Sequence, residues 1–192
     1  MSQGNHSVQL FDSVEIRAKR IAAYVREGLE SGGNVLVVAT PANWQLVSAL
    51  LEFDGIAVND AQTSRRLTVL DAARTLAQFM NAGMPDRDKL EAVVGTLVSR
   101  LAEQPGRLHI YGEMVDVLAE SGNFRGAHRL EELWNGLASR VPFDLFCGYT
   151  AGHFGDEKSA AALNAICDAH TSVHSHEHDL LAPFLIERSK TA

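Results

Sequence analysis

The residues of this chain with chemistry to offer are a few polar and sulfur side chains placed at the ends of apolar runs. Asp71 closes Leu67 to Leu70, Gly112 and Glu113 follow Leu108 to Tyr111, Cys147 ends Phe143 to Cys147, and Tyr149 comes two residues later. His6 stands just before Val8 to Phe11. If these runs are parallel strands, Asp71, Glu113 and Tyr149 fall just past strand ends, as do Asp12 and the region around Thr40. Ligands of open α/β sheets bind at that edge. The expectation is that His6, Glu113 and Cys147 face one small-molecule pocket there, with Asp71 and Tyr149 as further ligand-binding residues; an aromatic ring with a polar tip suits a mixed pocket. Each also has a plain structural reading. Glu113 is a carboxylate at a helix start, where the helix dipole favours it. Cys147 is a small buried hydrophobe, the commoner role of a free cysteine. His6 is a terminal histidine, and His170, at the end of a long helix, complements the helix C-terminus.

Metal and acid/base chemistry are less well supplied. His174, His176 and His178 alternate, so an extended chain points them to one side, and three imidazoles take up zinc or nickel. No carboxylate or thiol in that run completes a specific geometry, so no metal and no cofactor are expected, and the run reads first as an exposed polar segment. Several histidines titrating near neutrality also make a pH-sensitive element conceivable. Glu131 and Glu132 are adjacent and point about 100° apart on a helix, which is not a catalytic pair. No Gly-Lys pair occurs, so there is no phosphate-binding P-loop. G-x-G-x-x-G, G-x-S-x-G, H-E-x-x-H and paired C-x-x-C are likewise absent. Nothing sets a nucleophile beside a base, and no enzymatic activity is expected.

The elements that must position these residues alternate in type. Asp12 and Glu15 fit a capping box ahead of a helix with Val14, Ala18, Ile21, Val25 and Leu29 on one stripe. Gly32 and Gly33 stop it. Val35 to Ala39 is a valine-rich run suited to a strand covered on both faces. Thr40 and Pro41 start the next helix. Leu67 to Leu70, Leu108 to Tyr111 and Phe143 to Cys147 continue as strands, with helices between them and a final helix over Glu157 to His170. Gly83 to Asp86 breaks the chain, and Asp86 caps a helix with Leu90, Val93, Val94, Leu97 and Leu101 inside. Trp134 shares a stripe with Ala127, Leu130 and Leu137 and reads as core. Leu180 to Ile186 is apolar, a last strand or a docked segment. The pattern predicts an α/β fold of three layers, a mostly parallel sheet with helices on both faces.

A chain of 192 residues suits one such domain. The expected division is a core over about 6–170, with a His-rich segment and apolar tail over 171–192. A net charge of −7 argues against direct nucleic-acid binding, which needs clustered Lys and Arg. No apolar run is long enough to cross a bilayer. Met1 to Ser7 is polar without a signal core, and Cys147 and Cys167 make no disulfide framework. A cytoplasmic location is the expectation.

Several segments, taken together and in order, resemble one family. They are His6-Ser7-Val8-Gln9-Leu10-Phe11, "GLESGGNVLVVAT" from Gly28, "LTVLDAARTLAQFMNAGMPD" from Leu67, "YGEMVDVLAESGN" from Tyr111, "LEELWNGL" from Leu130 and "FDLFCGY" from Phe143. The set resembles the MEDS domain, the methanogen/methylotroph sensory domain also found in the dichloromethane-responsive repressor, from about His6 to about His170. His6, Glu113, Cys147 and His170 match recurring polar or thiol positions of the family. The resemblance implies a RecA-like or KaiC-like core without Walker A and a role in sensing small organic molecules. It also implies an output through a DNA-binding domain or histidine kinase, here a partner chain such as a transcription regulator or kinase. Homo-oligomerisation is compatible with it. Two other readings stay open: an interaction or oligomerisation module that binds no small molecule, and a degenerate nucleotide-binding protein.

Overall fold

The structure, a computed structural model, describes residues 4–155 and 157–174. Its centre is a six-stranded sheet in the order β3-β2-β6-β7-β1-β8, formed by β1 (His6–Phe11), β2 (Asn34–Ala39), β3 (Leu67–Asp71), β6 (Leu108–Gly112), β7 (Asp144–Thr150) and β8 (Ser172–His174). Every pairing in it is parallel. Parallel strands need crossover connections, and the helices supply them. The α/β architecture of three layers read from the sequence is the one observed.

Strand periodicity divides the core into two. Along β2, Leu36 and Val38 point to one face, and Val35, Val37 and Ala39 to the other. Along β7, Leu145, Cys147 and Tyr149 join the first face and Phe146 the second. On the second face lie α1 (Val14–Glu30), α2 (Pro41–Phe53) and α3 (Val58–Thr63). The first face is covered by α4 (Ala72–Phe79), α6 (Thr96–Ala102), α7 (Met114–Glu120), α8 (Phe124–Ala138) and α9 (Glu157–Asp168). The valines of β2 are buried from Val35 to Val38 because both faces are roofed. Trp134 is core, 1% exposed and edge-on to Phe143.

Several boundaries differ from the sequence reading. Ser13, not Asp12, caps α1, its hydroxyl accepting from the Ile16 amide at 3.3 Å. The buried stripe therefore runs through Arg17, Ala18, Ile21, Val25 and Leu29, and Val14 is 54% exposed. β7 runs on to Thr150, so Cys147 lies in mid-strand and Tyr149 inside the strand rather than past its end. Pairing with β1 as far as Phe11 extends it. Helix α3 occupies a stretch where the sequence pattern gave no signal. The helix after Asp86 is interrupted: α5 (Arg87–Leu90) passes through a π-turn, Glu91–Gly95, into α6. The break at Gly83 is a tight hairpin between β4 (Met80–Asn81) and β5 (Met84–Pro85), with Ala82 and Gly83 both at positive φ, and Asn123 holds it through a 2.7 Å bond to the Gly83 carbonyl. No helix among the described residues is long and apolar enough to cross a membrane. Leu180 to Ile186 lies outside the described residues.

Candidate functional site

Two separate polar clusters are built around the sheet. The first sits at the carboxyl ends of the strands, under the start of α1. Arg17 points inward from the first turns of this helix and is 5% exposed. Its Nη1 donates to Asp116 Oδ2 at 2.6 Å and to Thr150 Oγ1 at 3.1 Å. Its Nη2 donates to Glu113 Oε2 at 3.1 Å and to the Gly148 carbonyl at 3.3 Å, and its Nε to Tyr111 Oη at 3.2 Å. Glu113, which follows β6, also accepts from Tyr111 Oη at 3.1 Å, from Asn43 Nδ2 at 3.0 Å and from the Thr40 amide. Asp116 accepts the Thr150 amide at 2.8 Å and its hydroxyl at 2.9 Å.

Burial alone would lower the pKa of Arg17. The Tyr111 hydroxyl and the Glu113 and Asp116 carboxylates outweigh it, so the guanidinium stays charged. Tyr111 is pushed well above the usual phenol range, chiefly by burial. Gly148 makes the arrangement possible, because a Cβ there would come within 2.7 Å of Tyr111 Oη. Above the network opens a crevice of about 380 Å³, lined by Phe11, Asp12, Val14, Glu113, Asp116 and His153 among others.

The second cluster is closed. His6 from β1, Cys147 from β7, Glu131 from α8 and His170 beyond α9 converge beneath α8, all buried. His6 Nε2 lies 3.4 Å from Cys147 Sγ and 3.3 Å from Glu131 Oε2. Cys147 Sγ lies 3.4 Å from the same oxygen. His170 Nε2 stands 3.4 Å from Glu131 Oε1, and Tyr149 Oη donates to that oxygen at 2.8 Å. The two imidazole rings are 4.0 Å apart. Burial would raise the Glu131 carboxyl, but His170 and His6 reverse this and hold it well below the usual carboxylate range. Burial opposes the charging of His170, and Glu131 overrides it, so His170 is raised. Cys147 is pushed well above the usual thiol range, first by burial and then by Glu131.

The expected single pocket is thus divided. His6, Cys147 and Tyr149 come together in the closed cluster, with His170, while Glu113 belongs to the open crevice. The reason is alternation: Cys147 and Tyr149 are odd positions of a strand whose even positions face α1. Asp71 joins neither. It ends the edge strand β3 and caps α4, accepting the Arg74 amide at 2.9 Å. His174 is in β8 and exposed; His176 and His178 lie outside the described residues.

Arg17, Asp116, Glu131 and Asn135 were not among the expected site residues. The signal for two of them was present. Arg17 lies four residues before Ile21, and Glu131 lies four after Ala127 and three before Trp134, so both are charges at buried-face positions of amphipathic helices. The adjacent Glu132 is on the outer face and pairs with Arg129 at 2.8 Å.

No curated protein matches the chain. The family model of the MEthanogen/methylotroph, DcmR Sensory domain matches residues 5–171, a span that runs from just before His6 to just after His170 and so contains both clusters. With most of its 192 residues covered, the chain belongs to the MEDS family of sensory domains.

Proposed function

We propose that the crevice above Arg17 is the ligand site of a non-enzymatic, cytoplasmic sensory domain, and that its ligand is a small organic molecule without phosphate groups. The observation that carries this reading is the charge around the cavity. Asp12, Glu113, Asp116 and Glu120 line it against Arg17, whose donors are already taken by protein acceptors. A polyphosphate would meet carboxylates rather than free cations, which disfavours the nucleotide reading. Phe11, Val14 and Val117 offer an apolar wall. A neutral or amine-bearing molecule with a small apolar body fits these groups, and about 380 Å³ holds one of modest size.

The same network supports a route for the signal. Glu113 is tied both to Arg17 of α1 and to the amide of Thr40, the N-cap of α2. A ligand that takes one hydrogen bond from Glu113 or Asp116 changes how both helices are anchored. It shifts a population only in so far as it contacts the two arrangements differently. On the outer side α2 exposes Leu46 and Phe53, the latter 89% exposed. Through this helix the reading passes the signal to a partner chain, a transcription regulator or histidine kinase.

A thermal-shift screen against small alcohols, amines and halogenated organics, with ATP–magnesium as the contrasting arm, tests this. The expected result is a melting temperature raised by an organic compound and lost in Glu113→Gln/Asp116→Asn. Stabilisation by ATP–magnesium would overturn the reading. Absence of any organic ligand, together with concentration-dependent assembly, would favour the interaction module.

A further inference from the structure

The closed cluster beneath α8 has a use that the crevice does not require. We propose that His6, Glu131, Cys147 and His170 form a binding site for a divalent first-row transition metal of the zinc class. The four candidate ligand atoms lie within 4.8 Å of one another. Tetrahedral zinc with bonds of about 2.0–2.3 Å sets its ligand atoms roughly 3.3–3.6 Å apart. Here His6 Nε2, Glu131 Oε2 and Cys147 Sγ are mutually separated by 3.3, 3.4 and 3.4 Å. Three edges of the tetrahedron are therefore already at ligand spacing.

The groups behind the ligands orient them. Asn135 Nδ2 donates to the Ala169 carbonyl at 2.8 Å, which turns Oδ1 toward His6, 2.8 Å from its Nδ1. An amide oxygen only accepts, so Nδ1 of His6 carries a hydrogen, which leaves Nε2 as the ring nitrogen available to a metal in the cluster. His170 is set the same way, its Nδ1 donating to the Ile166 carbonyl at 2.7 Å. Its Nε2 is the one buried side-chain nitrogen or oxygen among the described residues with no hydrogen-bond partner. Tyr149 holds the far oxygen of Glu131. Fixing a ligating imidazole through its other nitrogen is the usual support of a metal site.

The ligand set selects the metal. One thiolate and two imidazoles exclude calcium and magnesium, which need oxygen shells, and suit zinc. Four protein ligands without an open position make the site structural rather than catalytic. Binding releases the thiol proton to solvent, and no oxidant or reductant is involved. The metal would join the beginning of β1 to α8, β7 and the turn after α9, holding the C-terminal part of the domain to the sheet.

Cobalt(II) titrated into the full chain after chelator treatment tests this. The expected spectrum has tetrahedral ligand-field bands and a thiolate-to-metal charge-transfer band, both abolished by zinc. Cys147→Ser removes the charge-transfer band; Cys167→Ser and the triple variant His174→Ala/His176→Ala/His178→Ala keep it. Asn135→Ala, which touches no metal, weakens affinity about 10- to 100-fold. X-ray absorption of the zinc-loaded wild type, which does not depend on any variant folding, shows one sulfur among nitrogen and oxygen neighbours. No charge-transfer band in the wild type, a band that survives Cys147→Ser, or a zinc shell without sulfur overturns the site. None of these results bears on the crevice, whose lining shares no residue with the cluster.

Discussion

Arg17 and Asp116, ninety-nine positions apart in sequence, meet at 2.6 Å in the interior. Their side chains are only 6% and 12% exposed. Arg17 is shared with Glu113 at 3.1 Å, so one cation serves two carboxylates. Removing it leaves Glu113 buried without a counter-charge, and Asp116 with only the His153 imidazole, 3.4 Å away. Arg17→Met is expected to cost about 3–5 kcal/mol, read from urea denaturation midpoints. Adding Glu113→Gln and Asp116→Asn to that variant should recover most of the loss. If Arg17→Met alone costs under about 1 kcal/mol, the network is not the anchor of α1 described above.

Gly148 has the opposite vulnerability, to added volume. Its Cβ would press on Tyr111 Oη at 2.7 Å, and Tyr111 is fully buried with nowhere to move. Gly148→Ala is expected to cost about 1–3 kcal/mol through overpacking and to weaken ligand binding in the crevice, since Tyr111 holds both Arg17 and Glu113. Tyr111→Phe in the same background should relieve part of the cost. An unchanged melting temperature for Gly148→Ala would contradict this.

Asp71 separates capping from ligand binding. It caps α4 at the end of the edge strand and is not among the residues that line the crevice. Asp71→Ala is expected to cost about 1 kcal/mol as the loss of an N-cap while leaving the affinity for any crevice ligand unchanged. Isothermal titration of the variant checks it, and a large loss of affinity would return Asp71 to the binding site.

Acid sensitivity should have a defined part at Asp144. Burial would raise this carboxyl, but the Arg107 guanidinium and the Asn5 amide hold it below the usual range. Arg107 Nη2 donates to it at 2.6 Å and the Asn5 amide at 2.8 Å. A carboxyl lowered in the folded state binds fewer protons there than in the unfolded chain. Its stabilisation is complete above the unfolded value, about 3.9, and fades as pH falls through the lower folded value. The stability difference between wild type and Asp144→Asn should be constant from neutrality to about pH 5 and shrink below about pH 4. A difference that stays level down to pH 2 would refute the assignment.

How much was legible in the sequence varied with the range of the interaction. Valine-rich β2 announced itself as a strand buried in a parallel sheet, because a strand covered on both faces leaves no polar alternation, and the short apolar runs of β3, β6 and β7 read as further strands. Helix α3, six residues long, did not, because one turn and a half is too short for periodicity to register. The π-turn at Glu91–Gly95 gave no signal either, being a shift of hydrogen-bond partner inside continuous helical backbone.

Amino-acid order alone determined that His6, Glu113, Cys147 and His170 stand beside or within the elements that build the site, and that the chain carries no P-loop lysine. Tertiary structure decided how they are grouped. Extending β7 by pairing with β1 put Cys147 in mid-strand, and strand alternation then sent it to His6 and Glu131 while Glu113 stayed with Arg17. Sequence spacing fixes the face of an element on which a residue lies, within a single helix or strand. Which elements share a face, and so whether Glu131 meets His170 or Arg17 meets Asp116, depends on strand order and crossovers, which act over distances of tens of residues that local periodicity does not encode.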